Sequence, residues 1–213
     1  FKAGGREWLV LALDWRMSNS SFEWAESVLK SHAHIPTILT THEIVTADSG
    51  KAEFTEYGEE VWNKLIKHNN QVFLTLNGHF WPSGRTSRTN AAGNKVESHI
   101  TNYQNRYYGG SGMIRSYRFK MRENKIDVTT FSPWSKELVQ KGQANPLSRK
   151  EEELTTSADK FTMHINFESR FQALDNSKRS ESSDDAVITG TQAYWRFDRH
   201  KACLLYTSPS PRD

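Results

Sequence analysis

Short apolar runs and segments of helical period take turns along the first part of the chain. Trp8-Leu9-Val10-Leu11-Ala12-Leu13 reads as a buried strand that stops at Asp14. Ser20-Ser21-Phe22-Glu23 then offers a serine cap and an early acid, and Trp24, Ala25, Val28 and Leu29 recur with the period of a helix. Pro36 cannot continue that helix and hands the chain to a second strand, Ile38-Leu39-Thr40-Thr41, which stops at His42. A second helix is expected from Thr55 to Asn69, with Tyr57, Val61, Trp62, Leu65 and Ile66 on one face. Val72-Phe73-Leu74-Thr75-Leu76 reads as the third strand, followed by Asn77-Gly78-His79. The pattern is β-α-β-α-β. Right-handed crossovers put the carboxyl ends of such strands on one edge of a parallel sheet, where open α/β sheets bind ligands. Asp14, His42 and His79 each stand at a strand exit, so the two imidazoles are expected to converge. Converging imidazoles are a common protein means of holding a transition metal; the alternative is a pair of hydrogen-bonding strand-end histidines.

After His79 the pattern changes. Residues 81–94 are rich in Gly, Ser and Asn and read as a loop. Three β-like runs follow: Val96 to Tyr103, Met113 to Phe119 and Ile126 to Phe131. Glycines at 109, 110 and 112 and a turn at Glu123-Asn124 separate them, which suits an antiparallel meander. Parallel α/β followed by hairpins implies a mixed sheet or a two-sheet sandwich over residues 1–134. Residues 135–175 read as a covering segment: a polar surface helix or linker, then an edge strand over Phe161 to Phe167. Residues 176–192 are serine- and charge-rich, as a flexible connector is. Residues 193–201 open a following module, and residues 202–213 read as a non-native tail outside the fold.

Composition narrows the field less. The 213 residues are enough for one sizeable core, and 12% aromatics with seven tryptophans argue against a disordered chain. A formal charge of +3 suits an anionic ligand without demanding one. No apolar stretch approaches bilayer-spanning length. The single cysteine, Cys203, excludes an intramolecular disulfide and a cysteine-based zinc site. The chain opens on what reads as a buried strand, so an upstream half is expected.

Thr40-Thr41-His42 and Asn77-Gly78-His79 resemble the later metal-binding motifs of calcineurin-like metallophosphoesterases. The likeness continues through Gly93-Asn94, Asn102-Tyr103-Gln104, Gly109-Gly110-Ser111-Gly112, Ile114-Arg115, Phe119 and Val128 to Pro133, and is closest to the secreted bacterial-type subgroup. The resemblance implies the C-terminal part of a four-layer α/β/β/α sandwich carrying two divalent metals, Mn, Fe or Zn, at the strand ends. It implies His42 and His79 as metal ligands and hydrolysis of phosphoesters by a dinuclear-metal hydroxide in the intact parent. An upstream Asp-x-His, a bridging carboxylate and a Gly-Asn-His motif would complete the set; none occurs here, so the chain alone is expected to be inactive. Trp81 stands where the family usually has one more histidine. Subgroup likeness also implies an extracellular or periplasmic location. Ala193 to Asp198 resembles the opening strand of a laminin-G or concanavalin-like module.

Asp14 is a candidate third ligand, or an acceptor that orients a histidine, as well as an ordinary turn cap. Arg85 and Arg88, just beyond His79, are candidates to clamp a substrate phosphate. His99 reads either as a cleft residue or as a buried strand histidine with a polar partner. Two readings compete with the enzyme. Residues 102–122 interleave Tyr103, Tyr107, Tyr108, Tyr117 and Phe119 with Arg106, Arg115, Arg118, Lys120 and Arg122, as a single-stranded nucleic-acid binder does. A non-catalytic extracellular binding module is the other.

Overall fold

Runs that are apolar without alternation must be covered on both faces, and here they form the middle of a sheet between helices and a second sheet. The computed structural model describes residues 1–48 and 50–175, and the backbone of 195–198 and 201–204. The chain divides into two units, residues 2–177 and the remainder, and each is described by itself.

In the larger unit a short hairpin, β1 (Lys2–Ala3) and β2 (Arg6–Glu7), leads into β3 (Leu9–Ala12). α1 (Asn19–Ser31) starts at Ser18, whose hydroxyl accepts from the Ser21 N–H, so the cap lies ahead of the expected Ser20. β4 (Thr37–Thr40) follows. A hairpin that the apolar pattern does not announce, β5 (Val45–Asp48) and β6 (Lys51–Phe54), precedes α2 (Glu56–Val61). Thr55 caps α2 by accepting from the Gly58 N–H at 2.9 Å, and the helix runs on into one π turn, Trp62–Ile66. β7 (Val72–Asn77), β8 (Gly84–Thr89) and β9 (Lys95–Ile100) complete a seven-stranded sheet in the order β3-β4-β7-β9-β8-β6-β5. β3, β4, β7 and β9 run parallel.

Two expectations change. The run from Val96 is not part of a meander: it pairs with β7 from Leu74↔Glu97 to Asn77↔Ile100. The presumed loop of residues 81–94 contains β8, held antiparallel to β9. β8 reads Gly-Arg-Thr-Ser-Arg-Thr; its ladder, rather than apolar burial, makes it a strand, and composition gives no sign of that.

A short turn, α3 (Tyr107–Gly110), leads to the second sheet. β10 (Ile114–Lys120) and β11 (Lys125–Phe131) pair antiparallel over their whole length. The expected covering segment supplies α4 (Pro133–Gln140), α5 (Pro146–Lys150) and β12 (Glu153–Leu154). β13 (Phe161–His164) is the expected edge strand, and both β12 and β13 pair with β11. α6 (Phe167–Asp175) closes the unit.

The main core lies between the sheets. Ile38 and Leu74 from the larger sheet meet Ile126, Val128 and Met163 from the smaller, with Trp8, Phe73 and the α6 residues Phe167 and Phe171. Each of these side chains contributes about 1.5–3 kcal/mol by leaving water. Register slips between Thr37↔Val72 and Ile38↔Leu74, so Phe73 is an extra residue and enters the same core as Leu74. Beyond the slip, Leu76 and His99 face the second sheet, while Thr75, bonded to Ser98 at 2.9 Å, and Asn77 face the other way. That other side carries the helices, with Phe22, Ala25, Val28 and Leu29 of α1 and Val61 of α2 buried. The unit is α/β, with a mixed sheet and a second, antiparallel one. Among the described residues no helix is long and apolar enough to cross a membrane.

In the smaller unit β14 (Trp195–Asp198) pairs antiparallel with β15 (Lys201–Leu204). The connector expected at 176–192 lies outside the described residues, as do residues 205–213 of the expected tail.

Candidate functional site

The carboxyl ends of β4 and β7 stay zipped past the last strand residues. Thr41 N–H donates to the Leu76 carbonyl at 3.3 Å and Gly78 N–H to the His42 carbonyl at 3.1 Å. The Asn77 amide adds a clamp: its Nδ2 donates to the Val45 carbonyl at 2.9 Å and its Oδ1 accepts from the Val45 N–H at 3.3 Å. Past Asn77 the chain makes a three-residue turn, with Phe80 N–H bonded to the Gly78 carbonyl at 2.9 Å and His79 held at φ +67°. Asn102 Nδ2 secures that turn by donating to the His79 carbonyl at 2.9 Å. A non-glycine residue in this region costs about 1–3 kcal/mol, and such residues cluster where function requires them.

The result is that His42 Nε2 and His79 Nδ1 lie 2.9 Å apart, with ring centroids at 4.8 Å, exposed to solvent. An open hollow of ≈ 360 Å³ adjoins them, lined by Leu13, Thr41, His42, Asn77, Gly78 and Thr101. Two nitrogens bound to one cation at 2.0–2.1 Å and at right angles are about 3.0 Å apart, so the spacing matches neighbouring ligands of a shared ion. It equally fits an imidazole–imidazole hydrogen bond, in which one nitrogen keeps its proton. Among the described residues no group of three or more His, Cys, Asp or Glu is placed to hold a metal, so the pair alone is an incomplete cage.

Three neighbours complete the local chemistry. Trp15 packs against both rings, with centroids 5.0 Å from His42 and 4.9 Å from His79. Its indole N–H donates to Glu43 Oε2 at 2.9 Å, and Arg16 reaches the same oxygen at 3.3 Å. Glu43 is buried, at 3% exposure. Burial would raise its pKa, but hydrogen bonds from Trp15 and Thr55, with the Arg16 charge, hold it below the ordinary carboxylate value. Periodicity marks none of the three as site residues. Glu43 directly follows His42, whereas Trp15 reaches the site because Arg16 turns the chain at φ +55°, which nothing in the local residue pattern foretells.

The other candidates are placed as follows. Asp14 is exposed at the β3 exit, and its backbone carbonyl accepts from Thr41 Oγ1 at 2.8 Å. Arg85 and Arg88 are three residues apart on β8, not on a loop, so they point to opposite faces of the sheet. Arg85 donates to the Ser157 carbonyl at 3.2 Å and lies 4.3 Å over the Phe161 ring, on the side of the second sheet. Arg88 forks onto Glu59 at 2.8 and 2.7 Å and lies 3.9 Å over Phe54, on the helix side. It opposes Val96, four residues down β9 from the Ile100 end, or roughly 13 Å from the histidine edge. The two guanidiniums do not form a joint clamp beside the histidines. His99 is the buried strand histidine: fully enclosed, with Nδ1 3.0 Å from the Tyr117 hydroxyl. Burial pushes its pKa down against the pull of Glu97, and pushes Tyr117 up to about 12. Trp81 is 43% exposed, with the Arg106 guanidinium 6.0 Å from its ring.

The stretch of residues 102–122 does not present one aromatic platform. Tyr117 and Phe119 pack on the main core, and Arg115 is buried against Asp159 at 2.7 Å. Arg106 forks onto Glu151, while Tyr107, Tyr108 and Trp134 cluster separately.

No protein-family model matches this chain. It is similar to the uncharacterized protein YvnB of Bacillus subtilis (strain 168), with 26% identity over 141 residues. The match covers 63% of this chain and 11% of that protein, so the chain spans about a tenth of the relative's length.

Proposed function

We propose that this chain is the C-terminal part of a divalent-metal phosphoesterase of four-layer α/β/β/α type, in which His42 and His79 are two of the metal ligands. The observation that carries the reading is the 2.9 Å approach of His42 Nε2 to His79 Nδ1 at the carboxyl edge of parallel strands. The tight turn at His79 and the amide clamp of Asn77 add to it, because they hold the imidazoles together without a core requiring it. The helices-on-sheet and sheet-on-sheet packing is what such a sandwich would look like with its other half absent. A divalent cation bound there supplies Lewis acidity toward a phosphoryl oxygen. The chain's own part is to offer two neutral imidazole nitrogens at ligand spacing beside an open hollow. Asp14, at the same edge, is left as a group that reaches the ion only if its loop moves. Arg85 and Arg88 are not part of the reading, since both guanidiniums are engaged elsewhere.

The test is Co²⁺ or Zn²⁺ binding to the full 213-residue chain and to its His42→Ala and His79→Ala variants. Wild type is expected to bind weakly, each variant at least tenfold more weakly, and the chain to hydrolyse an aryl phosphate poorly or not at all. Metal content unchanged in His79→Ala would reject the ligand assignment. Robust, chelator-sensitive turnover by this chain alone would reject the view that further ligands are needed.

A further inference from the structure

Trp15 presents a contradiction that needs a cause. Its ring is 47% exposed, yet a buried carboxylate, costly to desolvate, is used to hold its N–H. The loop that carries it is pinned on both sides. Leu13 N–H donates to the Thr40 carbonyl at 2.8 Å and Thr41 Oγ1 to the Asp14 carbonyl at 2.8 Å. After the left-handed Arg16, Met17 N–H donates to the Tyr57 hydroxyl at 2.9 Å, and the Met17 side chain is buried. Glu43 is fixed in turn by Thr55, the cap of α2. What this apparatus delivers is an indole in contact with both imidazoles at 5.0 and 4.9 Å. Two exposed histidines would otherwise sample several rotamers, and each lost arrangement would weaken whatever needs both rings at once.

We infer that Trp15, anchored by Glu43, is a positioning residue that fixes the His42 and His79 rings in their shared orientation. Trp15 ligates nothing; it narrows the rotamers of the groups that do. The inference rests on the metal reading above only for what the pair is positioned to hold.

The experiment uses the full chain with Co²⁺ alone as probe, and four variants: Trp15→Ala, Trp15→Phe, Glu43→Gln and His42→Ala. Trp15→Phe keeps a ring but loses the donor, while Glu43→Gln keeps an oxygen acceptor for the indole. Loss of a group that orients a ligand weakens metal binding about 10–100-fold. Trp15→Ala and Trp15→Phe are therefore expected to weaken Co²⁺ binding about tenfold or more, with melting temperature little changed, and Glu43→Gln to keep most of the affinity. Wild-type affinity in Trp15→Ala would overturn the positioning role, and a loss in Glu43→Gln equal to that in Trp15→Ala would overturn the hydrogen-bond anchor. If the wild type binds no Co²⁺, or His42→Ala binds it equally well, the metal reading fails by itself. The positioning role is then decided by the ¹⁵N shifts of the two imidazoles without metal. One protonated and one bare nitrogen per ring, averaging between tautomers once Trp15 becomes Ala, supports it; an unchanged pattern overturns it.

Discussion

Replacing Gly58 by Ala tests whether α2 supports the histidine edge. A helix-interior Gly→Ala change ordinarily stabilises by about 0.8–1 kcal/mol. Here a β-carbon at residue 58 would stand 2.7 Å from the Ile44 carbonyl carbon and 3.2 Å from its Cα, and would overlap the carbonyl oxygen. Carbon–carbon contacts settle at about 3.5–4.0 Å, so one backbone has to retreat by roughly 0.8 Å or more. That carbonyl already accepts the Thr55 N–H at 3.1 Å, and the retreat strains this bond too. Overpacking of about 1–3 kcal/mol and a weakened bond of about 1 kcal/mol, less the propensity gain, leave a net loss of about 2 kcal/mol. For a unit of this size that corresponds to a melting temperature lowered by roughly 4–8 °C. Asn63→Ala, exposed on the π turn of the same helix, is the control and should shift melting little in either direction. Because Ile44 follows Glu43, the displaced backbone also loosens the Trp15 anchor, so Co²⁺ affinity falls in Gly58→Ala and not in the control. A Gly58→Ala protein that melts at or above wild type would refute the reasoning.

Two further outcomes follow from buried charge. Asp159→Ala strands the Arg115 guanidinium, whose side chain is 5% exposed, and should cost about 3–5 kcal/mol in urea unfolding. The double change Arg115→Met, Asp159→Leu should recover much of that, and a loss equal to the sum of the single ones would reject the coupling. His99 is held neutral by burial, facing Glu97 and Arg85 from the larger sheet and Tyr117 and Arg115 from the smaller. Its folded pKa lies below the ordinary 6.5, so the unfolded chain binds the proton first. Its contribution is therefore complete above pH 6.5 and declines as pH falls through that value toward the lower folded pKa. Glu97, lowered from 4.5, adds a second loss below that pH. In His99→Phe the first decline should vanish from the melting-temperature profile, and its persistence would show that another group titrates there.

The helical period at Phe22, Ala25, Val28 and Leu29 and at Val61, Leu65 and Ile66 gave α1 and α2, and uninterrupted apolar runs gave β4 and β7. These elements place His42 and His79, so the meeting of the rings was legible from strand exits and crossover handedness alone. β5, β6 and β8 were not, because Val45-Thr46-Ala47-Asp48 and Gly84 to Thr89 bury little and are strands through their ladders. Missing β8 misjudged Arg85 and Arg88: neighbours on a loop can share a ligand, whereas positions three apart on a strand cannot. Trp15 and Glu43 were hidden for a different reason. Their contact spans 28 residues and depends on one left-handed residue, Arg16, whose type gives no warning.

Phe73 works as a parity switch. Ahead of it, alternate positions of the strand address one set of neighbours; behind it, the other set. A single-residue deletion there would swap the allegiance of Thr75 and Leu76, strand Asn77 on the wrong side of Val45, and swing His79 away from its mate. Length drift in this strand is therefore barred, while the tip at Asn90–Gly93 can grow at no such penalty. A relative aligned here with a one-residue gap has lost either the wedge at Phe73 or the meeting of the imidazoles.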